Sequence, residues 1–146
     1  MGALFAFLFA AAAGILNTVQ SGSNSTLGKS VAPGWACAAI GAATMVTGLA
    51  YALATRAPLP RSGTQLVPLW GWIGGCLGAV YVLATLLVAR QLGAGVFIAL
   101  TVTVAVCTSL AMDHWGLLGF QQHAASLPRL GGAALMIAGL ELIAKV

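Results

Sequence analysis

Residues 68–93 read PLWGWIGGCLGAVYVLATLLVARQLG, and this stretch decides the fold class. The twenty positions from Trp70 to Ala89 carry no charged side chain. At about 1.5 Å per residue, a helix of that length crosses a hydrocarbon core of about 30 Å. The stretch is therefore predicted to be a transmembrane helix.

Glycines recur at helical spacing within this predicted span. Small residues four positions apart let two membrane helices approach closely, because lipid-facing apolar surface gives helices no drive to pair. The candidate helix-packing residues are Gly71, Gly74, Gly75 and Gly78.

The composition extends this interpretation to the whole chain. Hydrophobic residues make up 60% of the 146 residues and charged residues only 5%, too little charge to cover a soluble domain. The six basic residues are scattered singly, so no nucleic-acid-binding surface is expected. Three isolated cysteines, without CxxC spacing or a nearby histidine pair, predict no metal site and no cofactor.

Five apolar segments follow one another along the chain. The first lacks a basic leader, so it is interpreted as a retained span rather than a signal peptide. The sequence predicts an all-α integral membrane protein, a single five-helix domain over residues 1–146. The predicted spans are about residues 2–24, 34–55, 69–89, 94–112 and 129–145.

The distribution of lysine and arginine predicts the topology. With five spans, one side carries Arg56, Arg61 and Arg129, and the other carries Lys29, Arg90 and Lys145. Orientation normally follows an excess of basic residues on the cytoplasmic side, and three against three gives no excess. The chain is therefore expected to insert in both orientations, forming an antiparallel homodimer of inverted five-helix units, or to pair with an opposite-facing paralogue.

A polar face ends the first predicted span. Asn17, Gln20, Ser21 and Asn24 fall on one side of a helix, and polar side chains at this depth need partners or water. Two interpretations stay open: hydrogen bonding between helices, or the lining of a substrate cavity.

The candidate substrate-binding residues combine these amides with aromatic rings and one hydroxyl. Amides and rings suit a neutral, zwitterionic or planar metabolite, whereas a permanently cationic substrate would normally require a carboxylate. The candidates are Asn17, Gln20, Asn24, Trp70, Trp72, Tyr81 and Ser109.

Three titratable residues are candidates for gating or proton coupling: Asp113, His114 and Glu141. Asp113 and His114 are adjacent, so on a helix they point about 100° apart and do not naturally face one target. A helix-end cap in which Asp113 bonds backbone amides or Arg129 is one alternative, and gating at a cavity mouth is another. Glu141 lies four residues before Lys145, which favours a helical ion pair. No catalytic motif accompanies these residues, so no enzyme activity is expected.

Several segments together resemble the YdcZ-like family of the drug/metabolite transporter superfamily. The first motifs are Gln20-x-x-x-Asn24-x-x-Leu27, Pro68-x-Trp70-x-Trp72-x-Gly74-Gly75, Gly78-x-x-Tyr81-Val82 and Leu92-Gly93. The most specific motif is Ser109-x-x-x-Asp113-His114-x-Gly116-Leu117-Leu118-Gly119, followed by Arg129-x-x-Gly132. One departure is visible, because Val104 and Ala105 stand where relatives usually carry Gly-Gln.

The resemblance implies a multi-pass protein of the inner membrane and a half-transporter that pairs with a second copy or a paralogue. We expect a secondary transporter of a small organic metabolite that works by alternating access. Two alternatives stay open: a non-transporting membrane assembly subunit, and an exporter of organic cations or drugs coupled to protons through Asp113 or Glu141.

Overall fold

The computed structural model describes residues 2–59 and 67–145. Six α-helices occur in these two ranges, and a short 3₁₀ turn at Leu117–Gly119 follows the fifth. They are Ala3–Ser30 (α1), Pro33–Ala54 (α2), Leu69–Leu87 (α3), Ala89–Leu92 (α4), Ala94–Trp115 (α5) and Leu127–Ala144 (α6). With α3 and α4 counted as one span over Leu69–Leu92, five helices are long and apolar enough to cross a membrane, which confirms the all-helical prediction.

The first helix is longer than the predicted span of residues 2–24. It continues to Ser30, and two of its threonines donate to carbonyls of the same helix without interrupting the backbone ladder. The Thr26 hydroxyl, for example, donates to the Gly22 carbonyl at 3.0 Å. The chain leaves the helix just before Pro33, and the residue preceding a proline is disfavoured in the α conformation. The helix after Pro33 then has its proline in the first turn, where the missing N–H costs nothing.

Two glycines set the boundaries of α5. Gly93 precedes the helix with φ of 80°, and Gly116 ends it in the left-handed region with φ of 60°. Residues other than glycine rarely adopt these backbone angles. The helix therefore includes Asp113 and His114 in its last turn, three residues beyond the predicted end at residue 112.

By internal contacts the chain divides into two compact units, Met1–Gln91 and Leu92–Val146. In the first unit α3 packs against both α1 and α2, which contact each other less extensively. In the second unit α5 packs against α6. The single five-helix domain stays a prediction.

The helices α1 and α3 run parallel in the first unit. Asn24 contacts Thr85, and Gly28 further along α1 contacts Leu86 and Arg90 further along α3 and α4. The ends that carry Lys29 and Arg90 therefore lie together, as an up-down-up arrangement of three spans requires.

Most apolar side chains face outward from the described helices. Phe7 is 76% exposed, Trp35 77% and Leu135 75%. In water such surfaces would be costly, but in a bilayer they face lipid tails or another protein chain. Among the described residues of the first unit, the buried side chains are Ser21, Asn24, Ala36, Thr85, Leu86 and Ala89.

Candidate functional site

A groove with a volume of about 520 Å³ lies among α1, α2 and α3. Its polar side chains include Gln20 from α1 and Tyr81 from α3, and α2 contributes much of the apolar wall. The lining residues are Gln20, Cys37, Ile40, Gly41, Thr44, Met45, Gly75, Gly78, Ala79, Tyr81 and Val82. None of these residues is charged.

The groove lies next to a contact between α2 and α3, where glycines of both helices leave the space unfilled. The Cys37 thiol donates to the Ala79 carbonyl at an S···O distance of 3.7 Å, which marks the close approach. A Cβ atom added at Gly41, Gly75 or Gly78 would meet nothing within 4 Å. These positions therefore leave open space instead of a helix contact.

This geometry restricts the helix-packing prediction for the glycine strip. A Cβ at Gly74 would also meet nothing within 4 Å, and one at Gly71 would meet only the Val67 side chain, at 2.9 Å. Within the described part of the chain, no helix packs on Gly74, Gly75 or Gly78. Packing of the strip against a second copy stays a prediction.

The polar face of α1 divides between two environments. Gln20 is exposed and lines the groove, and Asn17 is half-buried. Asn24 is only 6% exposed, and its amide Nδ2 donates to Thr85 Oγ1 at 3.1 Å. The structure thus places Gln20 where a ligand could reach it and gives Asn24 the role of joining α1 to α3.

The hydroxyl groups near the Asn24–Thr85 bond differ in their hydrogen-bond partners. The Thr85 hydroxyl, having accepted from Asn24, donates to the Val82 carbonyl at 2.7 Å. Ser21 Oγ is buried and makes no hydrogen bond within the part of the chain that the structure describes. By contrast, Thr44 in the groove donates to the Ile40 carbonyl at 3.0 Å, so its hydroxyl is used within its own helix.

Of the predicted aromatic residues, only Tyr81 lines the groove. Trp70 and Trp72 are 50% and 60% exposed and lie earlier on α3, outside the groove lining. Ser109 belongs to α5 in the second unit, where its hydroxyl donates to the Val106 carbonyl at 2.9 Å. The structure therefore brings together Gln20 and Tyr81 among the substrate-binding candidates.

None of the site residues predicted from the sequence lies on α2, yet this helix provides Cys37, Ile40, Gly41, Thr44 and Met45 to the groove. One signal for them was present in the sequence. Cys37, Gly41 and Thr44 are three or four residues apart, so small side chains occupy one face of α2.

In the second unit, Asp113 and His114 bind different partners. Asp113 Oδ2 lies 3.5 Å from Arg129 Nη1, which joins the end of α5 to the beginning of α6. His114 Nδ1 accepts from the backbone N–H of Ala125 at 3.3 Å, so this ring nitrogen carries no proton while the bond is made.

The backbone carbonyls of the same two residues hold the connection between α5 and α6. His123 N–H donates to the Asp113 carbonyl at 2.8 Å, and Gln122 Nε2 donates to the His114 carbonyl at 3.0 Å. These are carbonyls that a helix end leaves without intrahelical partners. This arrangement favours the helix-end interpretation, and gating by Asp113 or His114 stays a prediction.

The expected ion pair between Glu141 and Lys145 is absent among the described residues. The helix α6 ends at Ala144, so Lys145 is its C-cap residue, at the end of the chain's last helix. Both are exposed, where an ion pair contributes little against the entropy of holding two long side chains. The prediction of this pair was wrong, and a role for Glu141 in proton coupling stays a prediction.

Comparison with known proteins decides the family. The sequence model of the family described as "Putative inner membrane exporter, YdcZ" matches residues 5–142. The chain belongs to this family. The resemblance of the sequence motifs to the YdcZ family is thereby confirmed over nearly the whole chain, and with it a multi-pass location in the inner membrane. The YdcZ family description supports membrane transport as the general function. No curated protein and no solved structure matches the chain.

Proposed function

We propose that this YdcZ family member exports a small organic metabolite that is neutral, zwitterionic or planar, and that the groove binds it. The observation that carries the proposal is the groove itself, which places the Gln20 amide and the Tyr81 ring in a largely apolar wall without a charged residue. Ligand sites typically combine such walls with a few placed polar groups. The family description supports the direction of transport.

The chemistry of the wall restricts the substrate class. An amide side chain can both donate and accept a hydrogen bond, so Gln20 can bind a carbonyl, hydroxyl or amine without requiring a charge. A phenol ring offers a flat apolar face and a polar tip. The first unit, which forms the groove, contains no aspartate or glutamate, so a permanent cation would find no carboxylate from that unit.

The assembly that we propose is an antiparallel, dual-topology dimer that works by alternating access. Its support is the even distribution of basic residues together with the position of Lys29 and Arg90 at one end of the first unit. A second copy in the opposite orientation would present the same groove from the other side, which is how inverted repeats build alternating access.

The test begins with a thermal-stability screen of the purified protein against uncharged, zwitterionic and cationic metabolites. A ligand that binds the folded state stabilises it by about 2.7 kcal/mol at a free concentration of about 100 Kd. Hits are then measured for affinity on Gln20→Ala, with Asn24→Ala as the matched control of the same side-chain class on the same helix.

The two variants separate the two environments of α1. We expect Gln20→Ala to weaken binding by about two- to tenfold, the equivalent of one hydrogen bond, with little change in melting temperature. Asn24→Ala should instead lower the melting temperature. Unchanged affinity in Gln20→Ala would reject the groove as the binding site, and a cation as the strongest hit would favour the proton-coupled alternative.

A further inference from the structure

A second cavity of about 390 Å³ opens at the end of the first unit where α1 and α3 terminate. It is formed by Gly28 from α1, Pro33 from α2, Leu86 and Leu87 from α3, and Arg90 and Gln91 from α4. This cavity shares no lining residue with the groove.

Arg90 is held in place at this cavity. Its Nη1 donates to the Gly28 carbonyl at 3.3 Å. A guanidinium carries five N–H donors in a planar fork, so this bond leaves most of them for a ligand. Gly28 has no side chain, which lets α1 come close to α3 at this point. A Cβ atom at Gly28 would lie 3.1 Å from Leu86 Cδ2.

The charge around the cavity is uncompensated within its own unit. Lys29 follows Gly28 in the last turn of α1 and is exposed, so this end of α1 carries a second cation, which does not itself line the cavity. Residues 1–91 contain no aspartate or glutamate. Among the described residues, neither Arg90 nor Lys29 takes part in an ion pair.

The cavity lies at the ends of two apolar spans, where a bilayer would present its phosphates. Lys29 and Arg90 each come near the end of a span that is long and apolar enough to cross the bilayer. Basic side chains at span ends extend to the interface, where headgroups lie. Arginine binds phosphate oxygens in a bidentate geometry that adds both energy and orientation.

We propose that this cavity binds a phosphate group through Arg90, that Lys29 at the same end of the unit adds electrostatic attraction, and that the group comes from an anionic lipid headgroup or from a soluble phosphate compound. The proposal is independent of the transport function. It requires only that the cationic end of the first unit recognise a phosphate oxyanion.

The experiment uses the full-length protein in nanodiscs of phosphatidylcholine, with and without phosphatidylglycerol, and measures lipid retention by native mass spectrometry. Each variant is compared with itself in the two lipids, so a general loss of stability cancels. The variants are Arg90→Gln and Lys29→Gln, and the matched control is Arg56→Gln, the same change at an exposed arginine beyond the far end of α2. Lys29→Gln keeps the bond from Arg90 to Gly28 and so serves if Arg90→Gln does not fold.

We expect wild type and Arg56→Gln to retain phosphatidylglycerol selectively. Lys29→Gln should weaken that selectivity about fivefold, and Arg90→Gln by at least as much. A parallel arm adds inorganic phosphate to protein in neutral detergent. Arg90-dependent stabilisation by phosphate without lipid selectivity supports a soluble ligand, and lipid selectivity without a phosphate effect supports the headgroup. If Arg90→Gln or Lys29→Gln behaves like Arg56→Gln in both arms, the proposal is overturned.

Discussion

Asn24 on α1 and Thr85 on α3 form a buried hydrogen bond across the helix pair, with Nδ2 and Oγ1 3.1 Å apart and Thr85 fully buried. Four residues later, Gly28 packs on Leu86 and its carbonyl accepts from Arg90. One face of α1 thus holds the end of α3 in three ways: the Asn24–Thr85 hydrogen bond, the packing of Gly28 on Leu86, and the bond from Arg90 to the Gly28 carbonyl.

The first prediction concerns the strength of the Asn24–Thr85 bond. A double-mutant cycle with Asn24→Ala and Thr85→Ala should give a coupling energy of about 0.6 kcal/mol, and up to about 1.7, the range found for hydrogen bonds between membrane helices. Reversible unfolding in mixed micelles measures it. Fully additive effects of the two substitutions would contradict the coupling.

The second prediction uses two glycines of α1 in opposite surroundings. A Cβ at Gly22 would meet nothing within 4 Å, whereas one at Gly28 would meet Leu86 at 3.1 Å and its backbone oxygen at 3.3 Å. Alanine favours a helix interior over glycine by about 0.5–1 kcal/mol, so Gly22→Ala should be neutral or stabilising. Gly28→Ala should be less stable than Gly22→Ala, and Gly28→Val less stable still. Equal melting temperatures for the three variants would show that the helices are not in close contact.

The third prediction concerns the glycines of the groove. Gly75→Leu and Gly78→Leu would place a side chain in the open space and should therefore lower ligand affinity. Gly74→Leu is the control, since Gly74 lies on the same helix but outside the groove lining. Dimer yield measured on the same samples distinguishes a second role: loss of dimer with retained affinity would place the strip at a contact with a second copy.

The fourth prediction concerns topology. A single cysteine at Leu59, in a background lacking Cys37, Cys76 and Cys107, should be labelled by an impermeant maleimide from both sides of the membrane. The reason is the equal number of basic residues on the two sides. Labelling from one side alone would exclude dual insertion by this chain and leave a paralogue partner as the alternative. Residues 60–66, which follow Leu59, lie outside the described residues.

The fifth prediction tests the Asp113–Arg129 pair. The two side chains are 29% and 39% exposed, so Asp113→Asn should cost at most about 1 kcal/mol of stability. If Asp113 only joins the two helices, any dependence of transport on the proton gradient should be the same in Asp113→Asn as in wild type. Loss of that dependence in Asp113→Asn, but not in Glu141→Gln, would make Asp113 a coupling residue.

The sequence by itself determined the five spans and the family. Transfer of a helix into lipid depends on the sum of its own side chains, so a local stretch such as Trp70–Ala89 is sufficient to predict it. The ends were less well predicted. The last turn of α1 contacts Leu86 and Arg90, which are far away in sequence, and the end of α5 depends on the backbone geometry of Gly116.

Only the tertiary structure decided what the polar and small residues do. Gln20 and Asn24 share a helical face in the sequence, yet one lines a groove and the other joins α1 to α3, because the neighbouring helices cover only part of that face. The glycines of α3 have helix-packing spacing, but the partner that would fill their side is not within the described part of the chain. Burial in lipid depends on the composition of one segment, whereas a binding site depends on residues that are far apart in sequence. Only the packing of α1, α2 and α3 brings Gln20, Cys37 and Tyr81 around one groove.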